Sequence, residues 1–284
     1  MNVRCGNRAG LSWPVTHGWQ QHFLNCLLAL VLAGVFPSGQ ATETITLNAE
    51  DNWFPFSAYR NGQTEGFVVD VIRAAYAAVA IEVKFDPMPF KRCLTKVESG
   101  TDLGCFTVNR QEDTEKQFLL HKVPLFNDTG GIYDMEKSGL PAKVSPADLI
   151  GHRVGYTHGY TYGDYLDNTD GIIKEEAPND LSNLKKLAYG RQEYSLVSVI
   201  TAAYLFKTYP KDFPVLPRLA GTVTEQEMFV GFSRHRPDSI EAAAKLDEGL
   251  LIIRKNGTYS KIVSNWLGRY PMLDDLLPGK TKSR

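Results

Sequence analysis

Tyr160 and Thr161 stand inside a glycine-bounded turn, Gly159-Tyr160-Thr161-Tyr162-Gly163, which feeds a helical stretch from Asp164. The first turn of a helix carries backbone N–H groups without intrahelical partners, and together with the helix dipole these favour an anionic group. An N-cap calls for the same residue types, so ligand contact and helix cap are both open readings. His158 precedes the turn as a weaker candidate. Trp53 and Phe56 belong to the aromatic loop Asp51-Asn52-Trp53-Phe54-Pro55-Phe56. A Trp face can stack over an ammonium or guanidinium, and core packing is the alternative use of both rings.

Other chemistries find little support. No glycine-rich phosphate loop and no Ser/His/Asp arrangement in a recognisable context occurs. The six histidines, at 17, 22, 121, 152, 158 and 235, lack ligand spacing, so neither a metal nor a cofactor is expected. The acidic stretch from Asp164 to Asp170 has no calcium-loop pattern and reads as a solvated surface. With a net charge of −1 the chain carries no field that would gather nucleic acid or an anionic membrane.

Arg4 and Arg8 precede a short apolar run, Phe23 to Phe36, which is followed by Pro37-Ser38-Gly39-Gln40-Ala41. A run of about 14 residues is shorter than the roughly 20 that a permanent span needs. Small residues at −3 and −1 complete the layout of a secretory leader over 1–41, so the mature chain is expected in the periplasm. Cys5 and Cys26 leave with that leader. Cys93 and Cys105 are then an even pair in an oxidising compartment, which favours a disulfide over two independent buried thiols. Closing that loop would stabilise by about 3 kcal/mol in the chain-entropy model.

From Thr44 onward short strands alternate with helical stretches, the pattern of an α/β architecture with parallel strands. Strands are expected at Ile45–Ala49, Ile81–Phe85 and Leu103–Phe106, with helices over Gly66–Ala80 and Pro89–Ser99. A second cycle has strands at Arg153–Tyr156 and Tyr194–Val199, and helices from Asp164, over Leu181–Tyr189 and over Thr201–Tyr209. Met228–Phe232 reads as a last strand, Ser239–Lys255 as a long amphipathic helix stopped at Asn256-Gly257, and Tyr259–Leu267 as the final helix. The tail, 271–284, is expected to be loosely ordered.

In this order the residues resemble the extracellular solute-binding proteins of family 3, the polar-amino-acid receptors of ABC importers. The most specific piece is the C-terminus: Ile240-Glu241-Ala242 through Leu250, then Lys255-Asn256-Gly257-Thr258-Tyr259, Ile262 and Trp266-Leu267-Gly268. Trp53-Phe54-Pro55-Phe56, Gly66 with Asp70, Gly155 with Gly159-Tyr160-Thr161, and Ala202 with Tyr204 add to it. The resemblance implies a two-lobed type II periplasmic-binding-protein fold, two α/β lobes joined by two hinge strands. Lobe 1 would be 44–128 plus 227–270, and lobe 2 would be 129–226. A ligand would lie between lobes that close around it.

The resemblance also assigns roles. An Arg in the loop after the third lobe-1 strand grips the ligand carboxylate in that family, which points to Arg110, beside Phe106 and Thr107. An ungapped register puts Thr114 at that place instead, and Arg110 in a polar surface loop is the alternative. Trp53 and Phe56 would form the aromatic wall. Counting back from Ala202 and Tyr204, Ser198 stands where the family has an Asp for the ligand ammonium. A hydroxyl supplies no charge, so the expectation is a carboxylate without an ammonium, a modified amino acid or another polar solute, with Glu225 or Glu227 as a substitute anion. The expected function is capture of a small polar solute by a monomer, for delivery to a membrane ABC permease, without catalysis. The alternatives are a periplasmic sensory receptor and a dehydratase acting through a buried general acid in the cleft.

Overall fold

The computed structural model describes residues 43–136 and 143–270, together with Met1, Asn2 and Gly10. Apart from those three residues, the expected leader lies outside the described residues, as does the expected tail 271–284. The account below concerns the compact unit that begins at Thr42. No described helix is long and apolar enough to cross a membrane.

The chain opens with β1 (Glu43–Glu50), followed by a small antiparallel sheet of β2 (Asn52–Trp53), β3 (Ser57–Arg60) and β4 (Gln63–Glu65). Then come α1 (Phe67–Ala77), β5 (Ile81–Met88), α2 (Phe90–Glu98), β6 (Gly104–Asn109), α3 (Glu112–Gln117) and β7 (Phe118–Leu120). The long strand β8 (Phe126–Asp134) leads into β9 (Arg153–Thr157), α4 (Asp164–Asn168), β10 (Ile173–Ala177), α5 (Asp180–Ala188), β11 (Tyr194–Ser198) and α6 (Val199–Thr208). A 16-residue strand, β12 (Arg218–Ser233), returns the chain to α7 (Ser239–Lys255) and α8 (Thr258–Arg269).

One sheet runs through the whole unit in the order β10-β9-β11-β8-β12-β6-β1-β5, with β7 beside β12. Its ends are parallel: β1 pairs with β5 and β6, and β9 pairs with β10 and β11. At its centre β8 and β12 run antiparallel to each other, with register shifts after Leu219 and after Thr222. These two strands carry the chain from one α/β half to the other. Neither was fully expected from the residues: Met228–Phe232 is the apolar end of a strand that starts at Arg218. Both strands mix polar and glycine positions, of which Asp128, Gly130 and Gln226 line a cleft, with core positions such as Ile132, Tyr133 and Ala220.

Packing explains the expected elements. α1 buries Phe67, Val68, Val71, Ile72 and Ala75, and packs on α7 and α8. Tyr76 donates to the Ala242 carbonyl at 3.0 Å, and the Trp266 indole donates to Asp70 at 2.9 Å. Tyr259 donates to the Leu125 carbonyl at 2.9 Å, just before β8. The C-terminal motif is therefore a clasp that fastens the last two helices to α1 and to the root of a crossing strand. Cys93 of α2 and Cys105 of β6 form the disulfide, with Cα atoms 5.8 Å apart, in a small core with Val97, Val108 and Phe118.

Gly249 lets α7 approach α1. A Cβ at that position would lie 2.0 Å from the Ala75 carbonyl oxygen, which is backbone and cannot rotate aside. Helix propensity alone favours Gly249→Ala by about 1 kcal/mol, but the overpacking opposes it. The expected net result is a destabilisation of ~1–3 kcal/mol, read from the urea midpoint; an unchanged or higher midpoint would refute the close-approach account.

Candidate functional site

Between the two halves lies a cavity of about 420 Å³. Its walls come from the ends of β1 and β6, from α2 and α3, from the middle of β8 and β12, from the turn before α4, and from the end of β11. This is the carboxyl-end crevice that open α/β sheets use for ligands. Aromatic groups line one side. Trp53 meets Tyr160 edge-on at 6.1 Å between ring centroids, and Phe90 meets Tyr160 edge-on at 5.4 Å. Several bonds join the halves across the cavity. Thr161 donates to Asn109 at 2.6 Å, Tyr160 donates to the Glu50 carboxylate, and Gln111 reaches Asp167 at 3.4 Å. Asn109 also donates to Gln226 of β12 at 3.1 Å.

The charge of the cavity is one-sided. Glu50, Asp113, Asp128, Asp167 and Glu176 line it, against Lys91 as the one lysine or arginine among its lining residues. Asp128 of β8 is the central group. Its carboxylate accepts from the Ser198 hydroxyl at 2.7 Å, and burial pushes its carboxyl up to about 6 despite that bond. Burial likewise raises Glu50 well above the usual carboxylate range, although the Tyr160 hydroxyl opposes the shift. Behind them Asp180 accepts from Thr157 at 2.5 Å, leaves its second oxygen without a partner, and is pushed up to about 7 by burial and by Asp128. None of the three forms an ion pair with a lysine or arginine among the described residues.

Of the residues singled out from the sequence, Trp53, Thr107, Tyr160, Thr161 and Ser198 all line this cavity, and so does His158, which is 2.8 Å from Glu176. Arg110 does not. Its guanidinium lies over the Phe229 ring, 4.1 Å from the centroid, donates to the His121 carbonyl at 2.9 Å and pairs with Glu115 at 3.1 Å. It borders a neighbouring depression with Glu225 and Glu227, neither of which lines this cavity. Thr114 lines the cavity but its hydroxyl is spent on the Asn109 and Gln111 carbonyls. Phe56 and Phe106 are wholly buried and lie outside the lining: Phe56 stacks on Phe126 at 4.8 Å, and Phe106 packs edge-on against Phe85. A ring between a sheet and a helix gains more from burial than from facing water.

Ser198 changes meaning in three dimensions. The charge absent from position 198 is present on Asp128, one strand away, held by that same hydroxyl. The cavity therefore holds a carboxyl group beside position 198, where the sequence shows only a hydroxyl. The amides before α4 are also engaged: those of Tyr162 and Gly163 donate to Asp167, at 2.9 Å and 3.1 Å to the same oxygen. Sequence reasoning missed Asp128, Glu50 and Phe90. Asp128-Thr129-Gly130-Gly131 reads locally as a polar linker, and only its pairing with β12 makes it a cleft-lining strand.

Fold and site together define a two-lobed receptor with a desolvated cleft. The chain belongs to the bacterial extracellular solute-binding proteins, family 3, whose model matches residues 45–269. It is 26% identical over 256 residues to the "Putative ABC transporter arginine-binding protein 2" of Escherichia coli (strain K12), a match covering 84% of this chain and 97% of that protein. Among solved structures it is similar to an ancestral arginine-binding protein bound to arginine, with a TM-score of 0.66, 23% identity, and coverage of 79% of this chain and 98% of that one. A histidine kinase sensor domain with similarity to periplasmic binding proteins aligns with a TM-score of 0.69 and 21% identity, covering 79% and 96%. The type II periplasmic-binding-protein fold is thus shared well beyond close sequence likeness.

Asp128 gives the site a pH signature. Its folded carboxyl keeps a proton to about pH 6, whereas an unfolded Asp releases it near 3.9. The folded state therefore holds more protons between those values, so this group's contribution to stability is present below about pH 4 and is lost as pH rises through about 6. Asp128→Asn removes the dependence. Relative to the parent, the ligand-free variant should gain ~1–3 kcal/mol of stability between pH 5 and pH 8 in urea unfolding. A difference that stays constant across that range would contradict the burial of an ionisable Asp128.

Proposed function

We propose that this protein captures a small polar solute in the periplasm and delivers it to an ABC importer, acting as a monomer and without catalysing a reaction. The observation that carries the reading is the 420 Å³ cleft between the two halves, walled by aromatic rings and carrying desolvated, unpaired carboxylates on its floor. A few placed polar groups in a mostly preformed cavity suit selective, reversible binding. Trp53, Thr107, Tyr160, Thr161 and Ser198 would contact the solute, joined by Asp128 and Glu50. The lobes would be 44–128 plus 227–270 and 129–226, turning on β8 and β12, and the leader 1–41 would direct export. Membership of an extracellular family, and a relative described as an arginine-binding protein of an ABC transporter, support the compartment and the importer.

A dehydratase reading has its buried general acids in Asp128 and Glu50. Its substrates, however, would be cyclohexadienyl acids, and a lining of five acidic side chains with Lys91 as its one lysine or arginine disfavours an anionic ligand. Capture of a solute fits the charge better.

A thermal-shift screen of amino acids, amines and other small metabolites tests the proposal. A ligand at 100 times its dissociation constant stabilises the native state by about 2.7 kcal/mol. At least one solute should raise the melting temperature, and Ser198→Ala, which releases Asp128, should weaken that solute by about 5- to 10-fold. A panel that shifts nothing, or turnover of a cyclohexadienyl acid, would defeat the reading.

A further inference from the structure

We infer that the solute is an aliphatic organic cation, an amine or guanidine, that carries no α-carboxylate. The inference rests on the capture reading above and names the substrate class of the same cleft. Three independent features of this chain support it.

The first is the fate of the arginine. A carboxylate seat in such a cleft calls for a guanidinium, whose planar fork matches two oxygens. Arg110 is turned out of the cavity and already bound to Glu115, the His121 carbonyl and the Phe229 ring. Lys91, the one lysine or arginine in the lining, projects from the exposed first turn of α2. The second feature is the backbone. The amides of Tyr162 and Gly163, the natural anion seat of the turn, are occupied by the chain's own Asp167. An incoming carboxylate would have to displace a carboxylate that is covalently part of the site. The third is the floor. Glu50 is buried and Asp128 half-buried; Glu50 is held by the Tyr160 hydroxyl, Asp128 by the Ser198 hydroxyl and the Thr129 amide, and neither forms an ion pair among the described residues. A neutral hydroxyl brings no counter-charge to either carboxyl, and a bound cation would supply it in place of a proton. Tyr160, bonded to Glu50, and Trp53, edge-on to Tyr160, bring rings to the same cavity, which suits an ammonium or guanidinium placed against them.

An amino acid would gain from its side-chain cation and lose by bringing an anion among five carboxylates. Removing the α-carboxylate removes that loss. The cleanest probes are pairs that differ only there: agmatine against L-arginine, and cadaverine against L-lysine.

Isothermal titration calorimetry on the mature protein, at pH 7.5 and low salt, reads both pairs directly. The decarboxylated member of at least one pair is expected to bind at least 10-fold more tightly than its amino acid. Asp128→Asn should weaken that amine by 10-fold or more. Arg110→Gln should leave it within about twofold. An L-amino acid that binds as tightly as its amine overturns the inference, as does an amino acid that Arg110→Gln weakens 10-fold. Binding of solutes other than cations also overturns it while the capture reading stands. If no solute of any class binds, it is the capture reading that falls.

Discussion

A carboxylate held out of water without a counter-ion is costly, and here the cost is concentrated at the boundary between two halves of one sheet. Asp128 sits on β8 at the point where that strand leaves its first set of neighbours, and Ser198 reaches it from the end of β11. Glu50 ends β1 on the opposite side and is met by Tyr160 from the turn before α4. The folded framework has to be stable enough to keep these groups desolvated. Folding therefore gathers acidic groups from distant parts of the chain at one place. A site preorganised in this way gains selectivity because its polar groups need no rearrangement when a partner arrives.

The framework that meets this demand lies mostly away from the cleft. The α1, α7 and α8 layer is locked by Tyr76 to Ala242, Trp266 to Asp70 and Tyr259 to Leu125. His121 adds a second anchor. It accepts from the Val230 amide at 2.9 Å through Nε2, so its Nδ1 faces Asp247 at 3.2 Å as a donor, and burial holds its pKa down. Asp247 also collects the amides of Lys122 and Val123. The strand that carries Asp128 thus leaves a fixed point, while its middle is polar and glycine-containing.

Arg110 and Asp128 illustrate how a local reading and a spatial one diverge. Both belong to short polar segments, Thr107–Arg110 and Asn127–Gly131. One step along a strand turns a side chain to the opposite face, so where β6 ends decides whether Arg110 meets the cleft or Phe229. It meets Phe229. The polar run at β8 holds no hydrophobic alternation to mark it as a strand, and it gains its meaning from β12, nearly a hundred residues later. Family likeness read from sequence carried the right architecture and several of the cleft residues, Trp53, Thr107, Tyr160, Thr161 and Ser198. It did not carry the acidic groups that the fold brings to the cavity, because charge at a site is a property of neighbours in space.

The amino-acid sequence by itself determined the alternation of strands and helices, the pairing of Cys93 with Cys105, and the terminal clasp that ends in Trp266. Those features depend on local hydrophobic period, on helix stops such as Asn256-Gly257, and on residue types that bury well. Tertiary structure alone decided that Asp128 meets the Ser198 hydroxyl, that Asp167 occupies the amides of Tyr162 and Gly163, and that Arg110 lies over Phe229. The physical reason is range. Period and capping act over a few residues, whereas desolvation and Coulomb coupling act over whatever the fold brings within a few ångströms, regardless of distance along the chain.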